Sequence, residues 1–519
     1  MSDAPLYDVY DAPLYLEPRL TTGPASLLRS GPFLHGLVDA LGSPLGVVLP
    51  AETEHNTAGF EAVLRRHHLS GRIFFAHKAT GSSALVRHLA AHTGAGLDAA
   101  SLQELQHALG AGFTPDRIMA TGPKDPAFLW LAARTGVTVN ADGPGELERA
   151  ARLVRSYGLP RLRVLLRLSG FETAGPRTLS RSSRFGTAVK ALGPLLDLLD
   201  ALRDAVEPVG VGYHLDTTST DEKATALEGC LRAVEELRLR GFTPRAVDVG
   251  GGFGVSYLAH AAQWERYTTA LTEAALGRRP PLTWGGHGYG LRVEHGTLRG
   301  ALALYPAYRP AAGPAYLDEL LSRPAPTLGR TLGTLLLESL CDLYAEPGRA
   351  LVDQCGLTLG RVLEVRTDAE GPPRVRLALN AGDVGLEDHG VLVDPVLVGR
   401  DGTPAGASQD TSAGASPDAP TGTSGGAGGR GPVGVHLMGS LCLEADLITR
   451  RTVFLPRLPR AGDLLAFPNT AGYCMDFTAT RAQRQPPARK VAVRAAGEEG
   501  GAWRWCLDEE YWPVTETGG

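Results

Sequence analysis

Lys78 is the residue from which a chemical reading of this chain starts. Of its 51 Lys+Arg residues only five are lysines: Lys78, Lys124, Lys190, Lys223 and Lys490. Arginine serves wherever a plain positive charge suffices. A retained lysine is therefore a candidate for amine chemistry, because a guanidinium stays protonated and does not condense with a carbonyl. Lys78 closes the apolar run Ile73-Phe74-Phe75-Ala76-His77, just ahead of the turn Ala79-Thr80-Gly81-Ser82. Strand ends that open into loops are where barrel enzymes hold reactive groups. Taken alone, a lysine that ends a strand with its ammonium in water is the blander explanation.

Four further features shift that balance. Asp248-Val249-Gly250-Gly251-Gly252-Phe253-Gly254 follows an apolar strand, and successive glycines there let backbone N–H groups wrap a phosphate without Cβ obstruction. A triple glycine alone is also what a tight turn looks like. Glu346-Pro347-Gly348-Arg349 sets an acid and a guanidinium three residues apart around a rigid turn. That spacing suits a carboxylate on a ring nitrogen beside an arginine on a phosphate. His214 ends the run Val211-Gly212-Tyr213 and is placed either to stack on an aromatic cofactor or to serve as a hydrogen-bonded core histidine. Gly439-Ser440-Leu441-Cys442-Leu443-Glu444-Ala445-Asp446 presents a cysteine in a glycine turn flanked by acids.

The elements that must position these groups alternate. From about residue 51 to 350, apolar runs fall at Ile73–His77, Ala95–Ala99, Arg117–Thr121, Gly136–Ala141, Leu162–Leu168, Val211–Leu215 and Ala246–Gly250. Helical spacing lies between them, at Ser82–His92, Ser101–Leu109, Gly145–Tyr157, Leu192–Val206 and Thr220–Arg240. Strand–helix alternation over about eight units predicts a parallel (β/α)8 barrel, its eighth strand just before Glu346. After Leu351 the texture turns to β-like runs (Leu357–Arg366, Arg374–Leu379, Val453–Leu455, Asp463–Phe467, Lys490–Val493), which predicts a mainly β C-terminal domain over 351–519. Residues 1–50 are expected to contribute to that β domain. Gly399–Gly434 is polar and small throughout and is expected to be disordered, since it has too little apolar surface to offset ordering. Trp284–Leu320, rich in His, Tyr, Gly and Arg, is either a lid over the barrel mouth or a surface excursion.

Bulk properties exclude several function classes. The net charge is -5 with mixed signs, and no basic stripe suggests a nucleic-acid partner. Six cysteines lack CxxC or other metal-ligand spacing, so no metal is expected, and in a chain of 519 residues they read as reduced intracellular thiols. The acidic N-terminus has no apolar core segment and no run of 18 apolar residues exists. A cytoplasmic protein without signal peptide or membrane span is expected.

In order and spacing the motifs resemble the fold type III pyridoxal phosphate enzymes, the ornithine, diaminopimelate and arginine decarboxylase group that shares its fold with alanine racemase. The matching segments are Phe75–Thr80, Gly96–Ala100, Ala120–Lys124, Tyr213–Asp216, Asp248–Gly254, Glu346–Arg349, Gly439–Asp446 and Asn469–Tyr473. They run from about residue 45 to 480. The resemblance implies pyridoxal 5'-phosphate held covalently by Lys78, with His214 stacked on the ring and Glu346 on the pyridine nitrogen. Gly250, Gly251, Gly252, Thr217, Arg349 and Tyr473 would surround the phosphate, and Asp98 and Arg167 would support the lysine end. It further implies a homodimer with shared active sites, in which Cys442 enters from the partner subunit and handles the proton at the substrate α-carbon. The implied activity is decarboxylation of an amino acid. A racemase of this fold pairs the lysine with a tyrosine base and usually has an arginine at the ring nitrogen, so Glu346 and Cys442 favour the lyase.

The substrate end departs from the pattern. Decarboxylases of cationic substrates typically carry an acid directly after the cysteine; here Leu443 stands there, with Glu444 one place later. Leu215-Asp216-Thr217-Thr218 replaces the usual short glycine–serine turn, and Arg184 stands for lysine in Ser183-Arg184-Phe185-Gly186. An unpaired buried ammonium costs several kcal/mol, so the reading is a divergent, diaminopimelate decarboxylase-like enzyme with another amino acid as substrate. Diaminopimelate decarboxylase proper and an amino-acid racemase of the same fold are the alternatives.

Overall fold

In the computed structural model, which describes residues 13–171, 183–215, 217–367, 371–400, 432–496 and 502–513, eight parallel strands close on themselves. They are Gly71–Ala76, Gly96–Ala99, Ile118–Ala120, Thr138–Ala141, Leu162–Ser169, Val206–Tyr213, Ala246–Asp248 and Asp342–Ala345. Each pairs with its neighbour in chain order, and the last returns to the first through Leu343↔Gly71 and Ala345↔Ile73. The intervening helices start where the sequence offers caps. Ser82, Ser101, Asp125 and Ser219 each accept a backbone N–H from three residues on, satisfying a donor that would otherwise have no partner. Helix Pro126–Thr135, with Pro at its first turn and Gly136 in the left-handed region at its end, is one the apolar spacing does not announce.

Strand and helix bounds differ from the sequence reading chiefly at two places: the strand expected at Val453–Leu455 begins already at Leu447, and the sixth barrel strand starts early. The helix from Leu192 ends at Ala201, and the sixth strand begins at Val206 and ends at Tyr213. The long partner Leu162–Ser169 decides this, drawing Val206 into register with Leu162, so sheet pairing overrides the helical spacing.

Inside the barrel, period-two alternation stacks side chains in layers. Phe74, Met119, Leu165 and Ala246 form one buried cluster with Tyr344 packed on it. Two residues further along the same strands stand Ala76, Thr121, Arg167, Asp248 and Glu346. The apolar plug thus dictates that the next layer opens at the C-terminal mouth.

A second sheet abuts the barrel. Its order runs Leu447–Leu455, Val433–Met438, Arg374–Leu377, Gly356–Arg366, Leu45–Val48, Arg489–Ala495 and Trp503–Leu507, with Leu464–Pro468 also on Gly356–Arg366 and Val396–Val398 on Leu464–Pro468. The N-terminal strand Leu45–Val48 lies antiparallel to one neighbour and parallel to the other. Strand Val433–Met438 begins inside the stretch expected to be structureless, pairing Val433↔Leu455 and Gly434↔Phe454. That corrects the predicted bound by two residues; most of the remainder, 401–431, lies outside the described residues.

The 284–320 segment divides in two. Its middle is an exposed hairpin, Arg292–Glu294 with Thr297–Arg299. Its later part runs along 253–258, where Tyr257 N and Leu258 N both donate to Ala307 O and Gly313 N donates to Phe253 O. Helix Pro314–Ser322 follows. Among the described residues no helix is long and apolar enough to cross a membrane.

Candidate active site

A cavity of about 600 Å3 at the barrel mouth gathers Lys78, His214, Thr217, Gly251, Gly252, Glu346, Arg349 and Tyr473. Lys78 sits on the short turn His77–Ala79 after the first strand, and the second sheet's domain holds that turn. Tyr473 N donates to Ala79 O at 2.6 Å and Gly81 N to Asp476 Oδ2 at 2.9 Å. Burial disfavours the Lys78 ammonium, but Asp98, Tyr473 and Glu346 outweigh it and hold its pKa above the ordinary value. Asp98 is buried with neither carboxylate oxygen hydrogen-bonded. Burial and then the Glu346 charge push its pKa well up.

Glu346, also buried, is turned the other way. Its Oε2 lies 3.2 Å from His214 Nδ1, while Oε1 makes no hydrogen bond of acceptable geometry. Burial opposes its ionisation, yet the His214 bond and the Lys78 charge outweigh it, and its pKa falls below the usual carboxyl value. The neighbouring Asp248 approaches closely enough to perturb it, and is itself raised by burial and by Glu346. The pair therefore carries one charge, on Glu346, because two adjacent buried carboxyls do not both ionise.

The glycine turn lies against this group. A Cβ on Gly250 would stand 2.6 Å from Tyr213 O, and one on Gly251 would stand 3.0 Å from Glu346 O and 3.2 Å from the His214 ring. The close approach, not turn propensity alone, excludes side chains here. Beneath the turn Lys223 is fully buried and donates to Gly251 O; burial holds its pKa down to about 8. Arg349 donates to Tyr257 OH and to Gly472 O and stacks over Tyr473 at 4.9 Å. Arg167 lies over Phe185 at 4.7 Å, with Asp142 Oδ1 3.9 Å away.

Four predicted residues, Cys442, Leu443, Glu444 and Arg184, are not brought to this cavity within the chain. Cys442, Leu443 and Glu444 line another cavity of about 610 Å3, with Trp284, Arg366 and Gln483. There Asp446 Oδ2 accepts from Leu441 N and organises the loop. Arg184 stacks over Phe185 at 4.5 Å and does not line the Lys78 cavity. Sequence reasoning missed Tyr305 and Arg309, which do line it. It also gave Lys223 no role, though that residue's place among five lysines was a usable signal.

Known proteins resolve what this geometry is. Residues 56–296 match the family model described as pyridoxal-dependent decarboxylase, pyridoxal binding domain. The uncharacterised protein y4yA of Sinorhizobium fredii is 31% identical over 492 residues, covering 93% of this chain and 94% of that one. The chain belongs to the pyridoxal-dependent decarboxylase family. Diaminopimelate decarboxylase of Methanothermobacter thermautotrophicus is 29% identical over 245 residues, 44% of this chain and 54% of that one. The solved diaminopimelate decarboxylase of M. jannaschii in complex with L-lysine superposes with a TM-score of 0.64 at 17% identity, covering 92% and 91% of the two chains.

As a member of this family of amino-acid lyases, the chain takes pyridoxal 5'-phosphate as its cofactor. The residues present fit that group. The cavity offers an amine at Lys78, a glycine cradle with a guanidinium at Arg349, and a buried carboxylate at Glu346. Those are the three needs of an aldehyde, a phosphate ester and a basic ring nitrogen.

Proposed function

We propose that this chain decarboxylates an α-amino acid other than ornithine, diaminopimelate decarboxylase-like in architecture, as a homodimer whose copies complete each other's sites. The carrying observation is the buried Glu346 carboxylate, held by His214 on the wall of the cavity that also holds Lys78. When bound, pyridoxal phosphate supplies a protonated ring that withdraws electrons from the amino acid's α-carbon, so negative charge left by CO2 departure is spread rather than localised. Glu346 Oε1 keeps that ring nitrogen protonated, and the His214 bond at Oε2 fixes its orientation. His214 offers its ring face to the cofactor. Thr217, Gly250, Gly251, Gly252, Arg349 and Tyr473 surround the phosphate, the glycines by leaving room for it and Arg349 by its charge.

Lys78 reacts only as a free amine. Asp98 and Arg167, whose charges act on Lys78 in opposite directions, support that end of the ring. Cys442 is exposed on a loop outside its own chain's Lys78 cavity, which supports delivery from a neighbouring copy. There its thiol gives a proton to the α-carbon after CO2 has left. Leu443 and Glu444 then stand at the substrate's distal end, and Leu443 in place of an acid supports a substrate without a distal ammonium. Six unpaired cysteines support a cytoplasmic setting.

The test is a screen of cofactor-loaded protein against amino acids, reading CO2 and amine by mass spectrometry. Borohydride reduction followed by peptide mapping should place the label on Lys78. No amine from any amino acid, or a label on another lysine, defeats the reading. A product that keeps its carboxyl but has inverted configuration replaces it with the racemase.

A further inference from the structure

The late part of the 284–320 insertion ends at the same wall of the cavity as the glycine cradle, outside the family-matched residues 56–296. It is sutured there. Tyr305 OH accepts from Val255 N at 2.8 Å and donates to Val255 O at 3.2 Å. Arg309 N donates to Ser256 Oγ at 2.9 Å, and Ser256 Oγ donates back to Arg309 O at 3.0 Å. Tyr305 N donates to Gly390 O at 2.9 Å. With both ends of its short path pinned by backbone groups, the segment is a fixed wall and not a swinging lid.

This wall presents a guanidinium. Arg309 lies so close across Gly254 that a Cβ there would stand 2.9 Å from its Nε and 3.1 Å from its Cζ. Its buried Nε has no hydrogen-bond partner. Tyr305 is shared by two arginines, with Arg309 4.8 Å and Arg349 5.1 Å from its ring centroid. Together with buried Lys223 under Gly251, three cations gather about the glycine turn, and the acids lining the cavity are Glu222 and Glu346. An orphaned charged donor at such a turn is a site for an oxyanion.

We infer that Arg309 is a second phosphate-binding arginine, supplied by the insertion, which holds the cofactor's phosphate ester opposite Arg349. The inference rests on the reading of Gly250–Gly252 as the phosphate cradle, and the two are separable by experiment. Visible-absorbance titrations of the apoprotein with pyridoxal phosphate and with pyridoxal, which lacks the phosphate, measure the preference for the ester in the wild type and in Arg309→Met and Arg309→Lys. In Arg309→Met, affinity for pyridoxal phosphate should fall about 10- to 100-fold, the range for a charged hydrogen bond. Affinity for pyridoxal should not change, and Arg309→Lys should recover part of the preference.

A wild type that binds both aldehydes equally overturns the cradle itself. A wild type that prefers the ester, with an Arg309→Met variant that prefers it equally, overturns only the role of Arg309. If that variant instead keeps its cofactor affinity and raises KM for the amino acid, the arginine reads a substrate anion and the inference fails. Equal loss of both aldehydes in Arg309→Met assigns the residue to wall packing and also overturns it.

Discussion

His214 and Glu346 hold each other at the barrel mouth, Nδ1 of one 3.2 Å from Oε2 of the other, with the Glu346 carboxyl buried beside Asp248. One oxygen is fixed by the histidine, and the carboxylate as a whole is held between His214 and the neighbouring Asp248.

Glu346→Gln therefore separates binding from turnover. An amide of the same shape still faces the cavity but cannot hold a ring nitrogen protonated, so cofactor should remain bound while kcat falls about 100-fold or more. Steady-state kinetics at saturating cofactor check this. A kcat within a few-fold of wild type removes Glu346 from the ring nitrogen.

Lys223 gives the site a pH dependence. Burial lowers its pKa from 10.5 to about 8, so the charge beneath Gly251 is present below pH 8 and lost above it. Phosphate ester affinity should then fall as pH rises through 8, and Lys223→Met should lose about 10-fold at pH 7 and little at pH 9. Stability runs the opposite way. Between about 8 and 10.5 the unfolded chain binds the proton that the folded chain has released, so this group's contribution to stability improves with pH. Cofactor titrations at pH 7 and 9 settle the first point, and a flat profile in wild type contradicts it.

The contrast between what the sequence shows and what it hides follows from range. Lys78, the glycine turn and Glu346–Arg349 are local motifs at strand ends, and strand–helix alternation places strand ends at one mouth whatever the distant chain does. Arg309 reaches the same cavity through long-range bonds of its segment, among them those of its own backbone with Ser256, which no local pattern announces. Its segment reads as polar loop, equally suited to a lid or an excursion. The sixth strand's start at Val206 is hidden for the same reason, since its partner Leu162 sets it. Cys442 is legible as a motif, but its exposure outside the Lys78 cavity is a matter of assembly, not of sequence period.

Assembly is testable by complementation. Lys78→Ala and Cys442→Ala should each be inactive alone. Mixed and allowed to exchange, they form hybrids in which one of two sites has both residues intact, giving roughly a quarter of wild-type activity for random pairing. Native mass spectrometry verifies the exchange. Verified hybrids without activity place both residues in one chain's site.

Leu443 carries the argument on substrate. It is 59% exposed, on the loop that Asp446 braces through Leu441 N at 2.7 Å and Ala381 N at 2.8 Å. An apolar side chain left in water on so well organised a loop is better suited to covering something than to packing inside its own domain. If that loop enters a neighbour's cavity, Leu443 meets the substrate's distal end, and Leu443→Asp supplies an acid there. Turnover of ornithine, lysine or diaminopimelate should then improve relative to the native substrate by about 1–3 kcal/mol, as an otherwise unpaired ammonium gains a partner in a partly desolvated site. The ratio of kcat/KM values between a diamino acid and the native substrate reads this directly. Because the side chain is exposed, the variant should keep its melting temperature and cofactor affinity. An unchanged ratio in such a folded, loaded variant takes Leu443 out of the substrate site. A wild-type enzyme that already favours a diamino acid shows instead that Glu444, also on this loop, does the reading.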